Sequence, residues 1–349
     1  MRYNRNMENY RPEYTTTDEM FELVDKIREK VSSIRYTSNE KMILKLRREA
    51  NIQSITSSLR IEANSLNLDE VTDVINGKKV IGPARDIAEV KAANEAYKHL
   101  EDYKVNDYKS MLKAHAYMMK GVNEKVTPGG FRNHGEAVLK NGVPIHVAPP
   151  QGMVPILIGQ LFDWYKNSKL PIPLKSSIFH YEFEFIHPFS DGNGRTGRLW
   201  QTVQLMQETP LFMCIPVETV IAANQQEYYD ALQRSSKEMN CGIFAEFMMK
   251  CISIALENFE RDHIEPILRA NEALERAEEK KVKDARKKQA KLIDLIRKYP
   301  EADYTELARR FKVSPRTVAR MLRELKTSFK ITRVGSKKSG HWDVNVLPE

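Results

Sequence analysis

Apolar residues recur every three or four positions along most of this chain, and that period confines it to a fold built mainly of helices. The segment DEMFELVDKIREKVSSI sets Phe21, Val24, Ile27 and Val31 on one face. Residues 87–120 and 153–166 read as helices in the same way. One stretch breaks the period. GGFRNHGEAVLKNGVPIHVAPP alternates on either side of Asn141-Gly142, a dipeptide that favours a tight two-residue turn. A hairpin is expected there, with Ala137, Val138 and Leu139 running against residues 143–147. No other convincing hairpin precedes the C-terminal end.

Length and composition set the outer bounds. A chain of 349 residues predicts two or three domains. With 41% hydrophobic and 29% charged residues it has an ordinary globular composition. Cys214, Cys241 and Cys251 fall at no metal-ligand spacing, and an odd count gives no disulfide framework. The N-terminal stretch carries no apolar leader, and no run approaches the roughly 18 apolar residues of a spanning helix. The cytoplasm is the expected compartment, with no membrane partner.

Charge is unevenly placed. Residues 281–349 hold 19 Lys and Arg against 8 Asp and Glu, whereas residues 1–280 hold 36 against 39. A local excess of this kind points to a polyanion partner or to a solvated helix face. From Phe259 to Lys291 the sequence is charged and poor in aromatics, which predicts an exposed connecting helix broken near Pro266. Beyond it the pattern is helix, turn, helix, short turn, helix, hairpin. Ser314 is a good N-cap and Pro315 suits the first helical position. Val318, Met321, Leu322 and Leu325 form the core stripe of the last helix, while Arg316, Arg320 and Arg323 share another face. This part resembles a winged helix-turn-helix domain, whose third helix meets the DNA major groove. The resemblance implies DNA contacts at Arg316, Arg320, Arg323 and the wing lysines Lys337 and Lys338. The alternative is a protein-binding or dimer module.

Chemistry concentrates in residues 186–198, IHPFSDGNGRTGR. An apolar, aromatic helix leads in, a glycine-rich loop turns, and a second helix leaves. Gly192 and Gly194 permit positive φ and leave backbone N–H groups open. Successive N–H groups at a helix N-terminus bind anions. Arg195 and Arg198, three residues apart, add two cations that can face one ligand. Such a site suits a polyphosphate. Asp191 then suits Mg²⁺, which binds phosphates with one or two carboxylates and several waters. His187 can accept a proton from an incoming hydroxyl. An EF-hand fails for lack of the acidic positions, and a P-loop fails for lack of G-K-[ST] and a preceding strand.

HPFSDGNGRTGR matches H-x-F-x-[DE]-G-N-G-R-x-x-R, so residues 40–255 are identified as resembling the Fic family. The resemblance implies a helical fold and transfer of a nucleotide monophosphate, usually AMP from ATP, to a protein hydroxyl. It makes His187 the base that deprotonates a target Ser, Thr or Tyr. Asp191 holds Mg²⁺ between the α- and β-phosphates. Asn193 and the N–H groups of Gly192 and Gly194 hold phosphates, Arg195 binds the α/β region, and Arg198 binds the γ-phosphate. Phe189 packs into the core. Tyr228 and Tyr229 lie near the base; Ser236 stands where some relatives have asparagine. Glycine at 194, where phosphorylating members carry lysine, favours AMP. The hairpin at 131–147 becomes a flap that aligns the target segment by strand addition.

A second match lies upstream. SITSSLRIEANSLNLDEV resembles the inhibitory helix [ST]-x-x-x-E-[GN], with Ser58 and Glu62 in place and Ala63 where glycine or asparagine is usual. It implies that Glu62 pairs with Arg198 and that Ser58 helps seat the helix. The expected layout is a helical region over 1–100 with the inhibitory helix at about 54–64, a catalytic core over 101–256, a charged linker over 257–286, and the winged domain over 287–349. The expected partners are ATP, a target protein docked on the flap or the chain itself, DNA at the C-terminal domain, and a second copy in a homodimer. Two other readings stand beside transfer of AMP: a DNA-binding regulator using its Fic domain as a nucleotide sensor, and removal of AMP or transfer of another nucleotide.

Overall fold

The computed structural model describes residues 11–37, 40–140, 143–328, 330–336 and 340–345, without the side chains of 36–45 and 138–146. The Asn141-Gly142 turn, Lys337 and Lys338 lie outside the described residues. The chain divides into two compact units, Met1–Glu265 and Pro266–Glu349.

The first unit is helical apart from one hairpin. Its elements are α1 (Asp18–Thr37), α2 (Glu40–Ile61), α3 (Leu68–Ile75), α4 (Ala84–Lys98), α5 (Tyr108–Met118), β1 (Ala137–Lys140), β2 (Val143–Val147), α6 (Val154–Asn167), α7 (Ile172–Ile186), α8 (Asn193–Leu205), α9 (Val217–Ala223), α10 (Gln225–Glu238) and α11 (Gly242–Phe259). β1 and β2 pair antiparallel where the alternation predicts them, with a register shift between Val138 and Leu139. Two strands cannot supply a core, so the unit is organised helix on helix.

α7 and α8 form its centre. Every residue of α7 from Ser176 to Phe183 is buried. A helix buried on every side, its Ser, His and Glu side chains included, lies inside the bundle. Two apolar clusters flank the pair. One gathers α1, α7, α9, α10 and α11 around Ile178, Tyr181 and Phe244. The other gathers α3 to α8 around Phe179, Phe183, Phe189 and Trp200. α2 contributes to both, with Leu46, Ala50 and Ile61 in the first and Ile55 and Leu59 in the second.

Two helix readings need correction. The buried face of α1 is Met20, Leu23, Val24, Ile27, Val31 and Ile34, while Phe21 is 52% exposed. The stripe starts one residue earlier than expected. Residues 87–120 are two helices: α4 ends at Lys98, and the Asp107 side chain caps α5 by accepting from the Lys109 N–H at 3.0 Å.

The second unit holds α12 (Glu265–Lys298), α13 (Tyr304–Phe311), α14 (Pro315–Thr327), β3 (Ile331–Val334) and β4 (His341–Val344). Residues 266–288 are exposed, and only Leu292, Ile293 and Ile296 of α12 join the core. Val318, Met321, Leu322 and Leu325 of α14 pack with Leu307, Ile331 and Trp342. Ser314 caps α14 by accepting from the Thr317 N–H. The break expected near Pro266 is absent. One π-helical turn, Glu260–Ile264, precedes α12 instead, and Pro266 falls in the first turn of α12. The π turn is where the helical hydrogen-bond pattern shifts just before a residue that has no N–H to give.

Candidate active site

The site starts where α7 ends. His187 closes that helix in a left-handed conformation, φ 50°, with its N–H donating to the Phe183 carbonyl at 3.0 Å. Arg132 holds this end from outside. Its Nε donates to the His187 carbonyl at 2.7 Å, and its Nη2 reaches the carbonyls of Pro149 at 2.6 Å and Ile186 at 3.4 Å. Its Nη1 donates to the His134 carbonyl at 2.8 Å. A cation at a helix C-terminus meets carbonyls with partial negative charge. One buried guanidinium thus anchors both the start of the motif and the two ends of the hairpin stem.

The loop that follows is braced by its own side chains. Phe189 is fully buried and stacks on His115, with ring centroids 3.6 Å apart. His115 Nδ1 accepts from the Gly129 N–H at 3.0 Å, so its Nε2 carries the hydrogen and donates to the Asp191 carbonyl at 3.0 Å. Burial pushes the His115 pKa down to about 4, so the ring is neutral at pH 7. The amide of Asn193 spans the loop. Its oxygen accepts from the Phe189 N–H at 2.9 Å and its nitrogen donates to the Phe189 carbonyl at 2.8 Å. The side chain expected on a phosphate therefore closes the loop, because both ends of its amide bind Phe189. Gly192, at φ 83°, turns the chain into α8, and a Cβ there would stand 2.6 Å from Met119 Sδ.

The two motif arginines meet different carboxylates. Asp191 Oδ1 accepts from the Gly192 N–H at 2.6 Å and from Arg195 Nη2 at 2.8 Å. Asp191 Oδ2 is held more loosely, by Asn123 Nδ2 at 3.3 Å and Arg85 Nη2 at 3.5 Å. Arg195 Nη1 also lies 3.3 Å from Glu89, which in turn accepts from Asn64 Nδ2 at 2.8 Å and Arg85 Nε at 3.1 Å. Among the described residues no cluster of three or more His, Cys, Asp or Glu could hold a metal ion alone. A single carboxylate with one loosely held oxygen suits Mg²⁺, which takes its remaining ligands from phosphates and water.

Arg198 is buried and faces α2. Its Nε donates to Ser58 Oγ at 3.0 Å, and its Nη2 donates to the Ser58 carbonyl at 3.0 Å and to Glu62 Oε1 at 2.7 Å. Ser58 thus seats α2 on the arginine. Burial alone would lower the Arg198 pKa; the charge and hydrogen bond of Glu62, together with Tyr228 and Glu184, outweigh it and hold the guanidinium above its ordinary value. Glu62 also overlies the start of α8, where a Cβ on Gly194 would come 2.4 Å from its Oε1. A carboxylate thus occupies the anion-binding end of that helix.

The end of α2 explains how Glu62 is presented. The Asn64 N–H bonds to the Leu59 carbonyl at 3.1 Å and the Ala63 N–H to the Arg60 carbonyl at 3.0 Å. This is a Schellman cap with Ala63 in the left-handed position, φ 63°. The preference for glycine or asparagine at that place has this backbone as its cause. α10 holds the same end, for Gln225 Nε2 and the Tyr229 hydroxyl both donate to the Ile61 carbonyl, at 2.9 and 3.2 Å.

Glu62, Arg198, Gly194 and His187 line a cavity of about 220 Å³ together with Phe185, Tyr228, Tyr229, Leu232 and Ser236. Tyr228 is buried and its hydroxyl meets His180 Nε2 at 3.2 Å. In the second unit Arg316, Arg320 and Arg323 are exposed on α14. His115, Arg132, Glu89, Asn64 and Gln225 shape the site without belonging to the motif. His115 in KAHAYMM and Glu89 in DIAEVKAA are polar residues set among apolar ones, whereas Arg132, Asn64 and Gln225 carry no such signal.

Comparison with known proteins agrees with this geometry. Residues 106–205 match the Fic/DOC family. A protein adenylyltransferase Fic from Aedes aegypti is 30% identical over 264 residues, covering 71% of this chain and 50% of that protein. The chain spans about half the length of the curated relatives it matches first. The crystal structure of a Fic family protein from Desulfovibrio desulfuricans is 33% identical with a TM-score of 0.68, covering 97% of this chain and 100% of that one. Fic-1 from C. elegans shares the fold at 18% identity and a TM-score of 0.58, covering 68% of this chain and 71% of that one. Among the described residues no helix is long and apolar enough to cross a membrane.

Proposed function

Because the chain belongs to the Fic family, we propose that its first unit is a protein adenylyltransferase, held inactive by Glu62, that moves AMP from ATP to a hydroxyl of a target protein or of itself. One observation carries this reading: α8 and Arg198 already hold an anion, the Glu62 carboxylate, in the cavity that His187 lines. A phosphate is the other anion that fits this fork.

The chain's residues divide the work. The hydroxyl oxygen of the target attacks the α-phosphorus, the bond to pyrophosphate breaks, and His187 takes the hydroxyl proton. General-base help of this kind contributes about 10²–10⁴-fold. Arg198 and the first N–H groups of α8 hold phosphate oxygens, and Arg195 keeps Asp191 in place. Asp191 would hold Mg²⁺, which when bound neutralises phosphate charge. His115, Asn193 and Arg132 fix the loop, so the reacting atoms meet without searching. The β1–β2 hairpin aligns the target segment. Glu62 blocks the reaction by occupying Arg198, since a γ-phosphate and a carboxylate cannot both use the same donors.

The second unit is a winged helix-turn-helix domain for duplex DNA, with Arg316, Arg320 and Arg323 on the groove-facing side of α14. Its core stripe and its exposed arginines on different faces of one helix support that reading.

Labelled ATP tests the transfer. With the Glu62→Gly variant, label at the α-phosphate should stay on protein and label at the γ-phosphate should not. Retention of γ-label would make the enzyme a kinase and overturn the reading.

A further inference from the structure

Glu89 is a buried carboxylate on α4, outside the motif, that touches both halves of the site. It is 4% exposed. Its Oε1 lies 3.3 Å from Arg195 Nη1 and accepts from Arg85 Nε at 3.1 Å. Its Oε2 accepts from Asn64 Nδ2 at 2.8 Å. One side chain therefore meets the arginine that braces Asp191 and the segment that ends the helix of Glu62.

The first contact bears on the metal carboxylate. Arg195 is 2% exposed, and its Nε and Nη1 make no aligned hydrogen bond. Its direction is set by the Asp191 bond at 2.8 Å and by the charge of Glu89. A buried cation needs counter-charge. With residue 89 neutral, Asp191 would be the one carboxylate left, among the described residues, within ion-pair distance of Arg195. It would then give up an oxygen to Mg²⁺ less readily.

The second contact bears on Glu62. Asn64 closes the cap of α2 through its own N–H, two residues after Glu62. Its side chain reaches α4: Nδ2 donates to Glu89 and to the Asp86 carbonyl at 3.2 Å, while Oδ1 accepts from the Leu66 N–H at 3.1 Å. That last bond fixes which end of the amide faces Glu89. The cap is thus pinned to the same carboxylate that steers Arg195.

We propose that Glu89 is a positioning residue that couples inhibition to catalysis: through Arg195 it keeps Asp191 ready for Mg²⁺, and through Asn64 it keeps Glu62 on Arg198. The proposal rests on the transfer reading of the site and gives Glu89 no contact with nucleotide or target. Glu89→Gln separates the coupling from packing, because it keeps size and shape. An amide has one oxygen where a carboxylate has two. The two arginine charges take that oxygen, and the amide nitrogen is left against Asn64 Nδ2, donor facing donor. Asn64 cannot turn to meet it without stranding the Leu66 N–H.

The test is self-modification, with ATP and Mg²⁺, of four full-length proteins: wild type, Glu89→Gln, Glu62→Gly and the double variant. The Glu62→Gly rate divided by the wild-type rate measures inhibition. With Glu89→Gln in both proteins that ratio should shrink about threefold, as expected for one lost hydrogen bond. Release is partial because the Ser65 N–H still holds Asp86 at 2.8 Å. In the Glu62→Gly background, Glu89→Gln should also weaken Mg-ATP binding, read by calorimetry, by about threefold. A role in folding alone would lower every rate in proportion and leave the ratio unchanged. An unchanged ratio would overturn the coupling, and so would an unchanged Mg-ATP affinity. If Glu89→Gln does not fold, Asn64→Ala cuts the link from its other end and should shrink the ratio in the same way; an unchanged ratio there would overturn the proposal equally. No self-modification by Glu62→Gly would count against the transfer reading instead, and the calorimetric comparison would still decide the contact with Arg195.

Discussion

Ala63 is the residue at which the closed arrangement carries its own strain. It ends α2 at φ 63°, directly after Glu62. A left-handed conformation costs an L-residue with a Cβ about 1–2 kcal/mol. Glycine escapes that cost but loses more backbone freedom on folding, about 0.5–1 kcal/mol relative to alanine. The balance for Ala63→Gly is a net stabilisation of about 0.5–1 kcal/mol. A domain of 150–250 residues shifts its Tm by about 2–4 °C per kcal/mol, so calorimetry should show a rise of about 1–4 °C. The cap forms where Gln225 and Tyr229 grip Ile61, so the same free energy should favour Glu62 on Arg198. At 1.4 kcal/mol per factor of ten, self-modification with ATP should fall about two- to fivefold. Ala63→Val should act in the opposite direction on both measurements. An unchanged or lower Tm for Ala63→Gly would refute the assignment of strain to this residue. A raised Tm with unchanged self-modification would break the link between the cap and inhibition.

Other outcomes follow from the same contacts. Glu62→Gly should raise self-modification and ATP use above wild type, whereas Arg198→Ala should not, because it removes the phosphate donor together with the inhibitor's partner; label incorporation at saturating ATP compares them. Arg132→Met should lower the Tm and cut self-modification in the Glu62→Gly background by at least tenfold, since the carbonyls of Ile186, His187, His134 and Pro149 lose their shared donor; full activity would show that the loop holds itself. Binding of the full chain to duplex DNA, read by anisotropy, should weaken steeply with salt as phosphate contacts release counterions; no binding at low salt would leave a protein partner for the second unit.

The motif was legible because its parts are contiguous. His187, Asp191 and Arg198 lie within twelve residues, so the spacing alone brings them to one turn. The Ser58–Glu62 spacing was legible for a similar reason, since four residues make one helical turn. The braces were not. Arg132 works on carbonyls up to 55 positions away, and Asn64 reaches Arg195 only through Glu89. Backbone acceptors carry no side-chain signature, so a sequence does not announce them. Phe21 was misplaced because Met20 and Phe21 are neighbours and either can start an apolar stripe. Pro266 was read as a break, but a π-helical turn directly before it accommodates the proline and the chain stays helical.

The account's central claim is that His187 takes a hydroxyl proton while AMP leaves ATP. Intact mass of the full chain, after incubation with ATP and Mg²⁺, tests it most directly. Glu62→Gly should gain one or more AMP-sized masses, and Glu62→Gly with His187→Ala should gain none while still binding ATP. The same adduct on both variants would contradict the role of His187, and no adduct on either would contradict transfer of AMP to the chain itself.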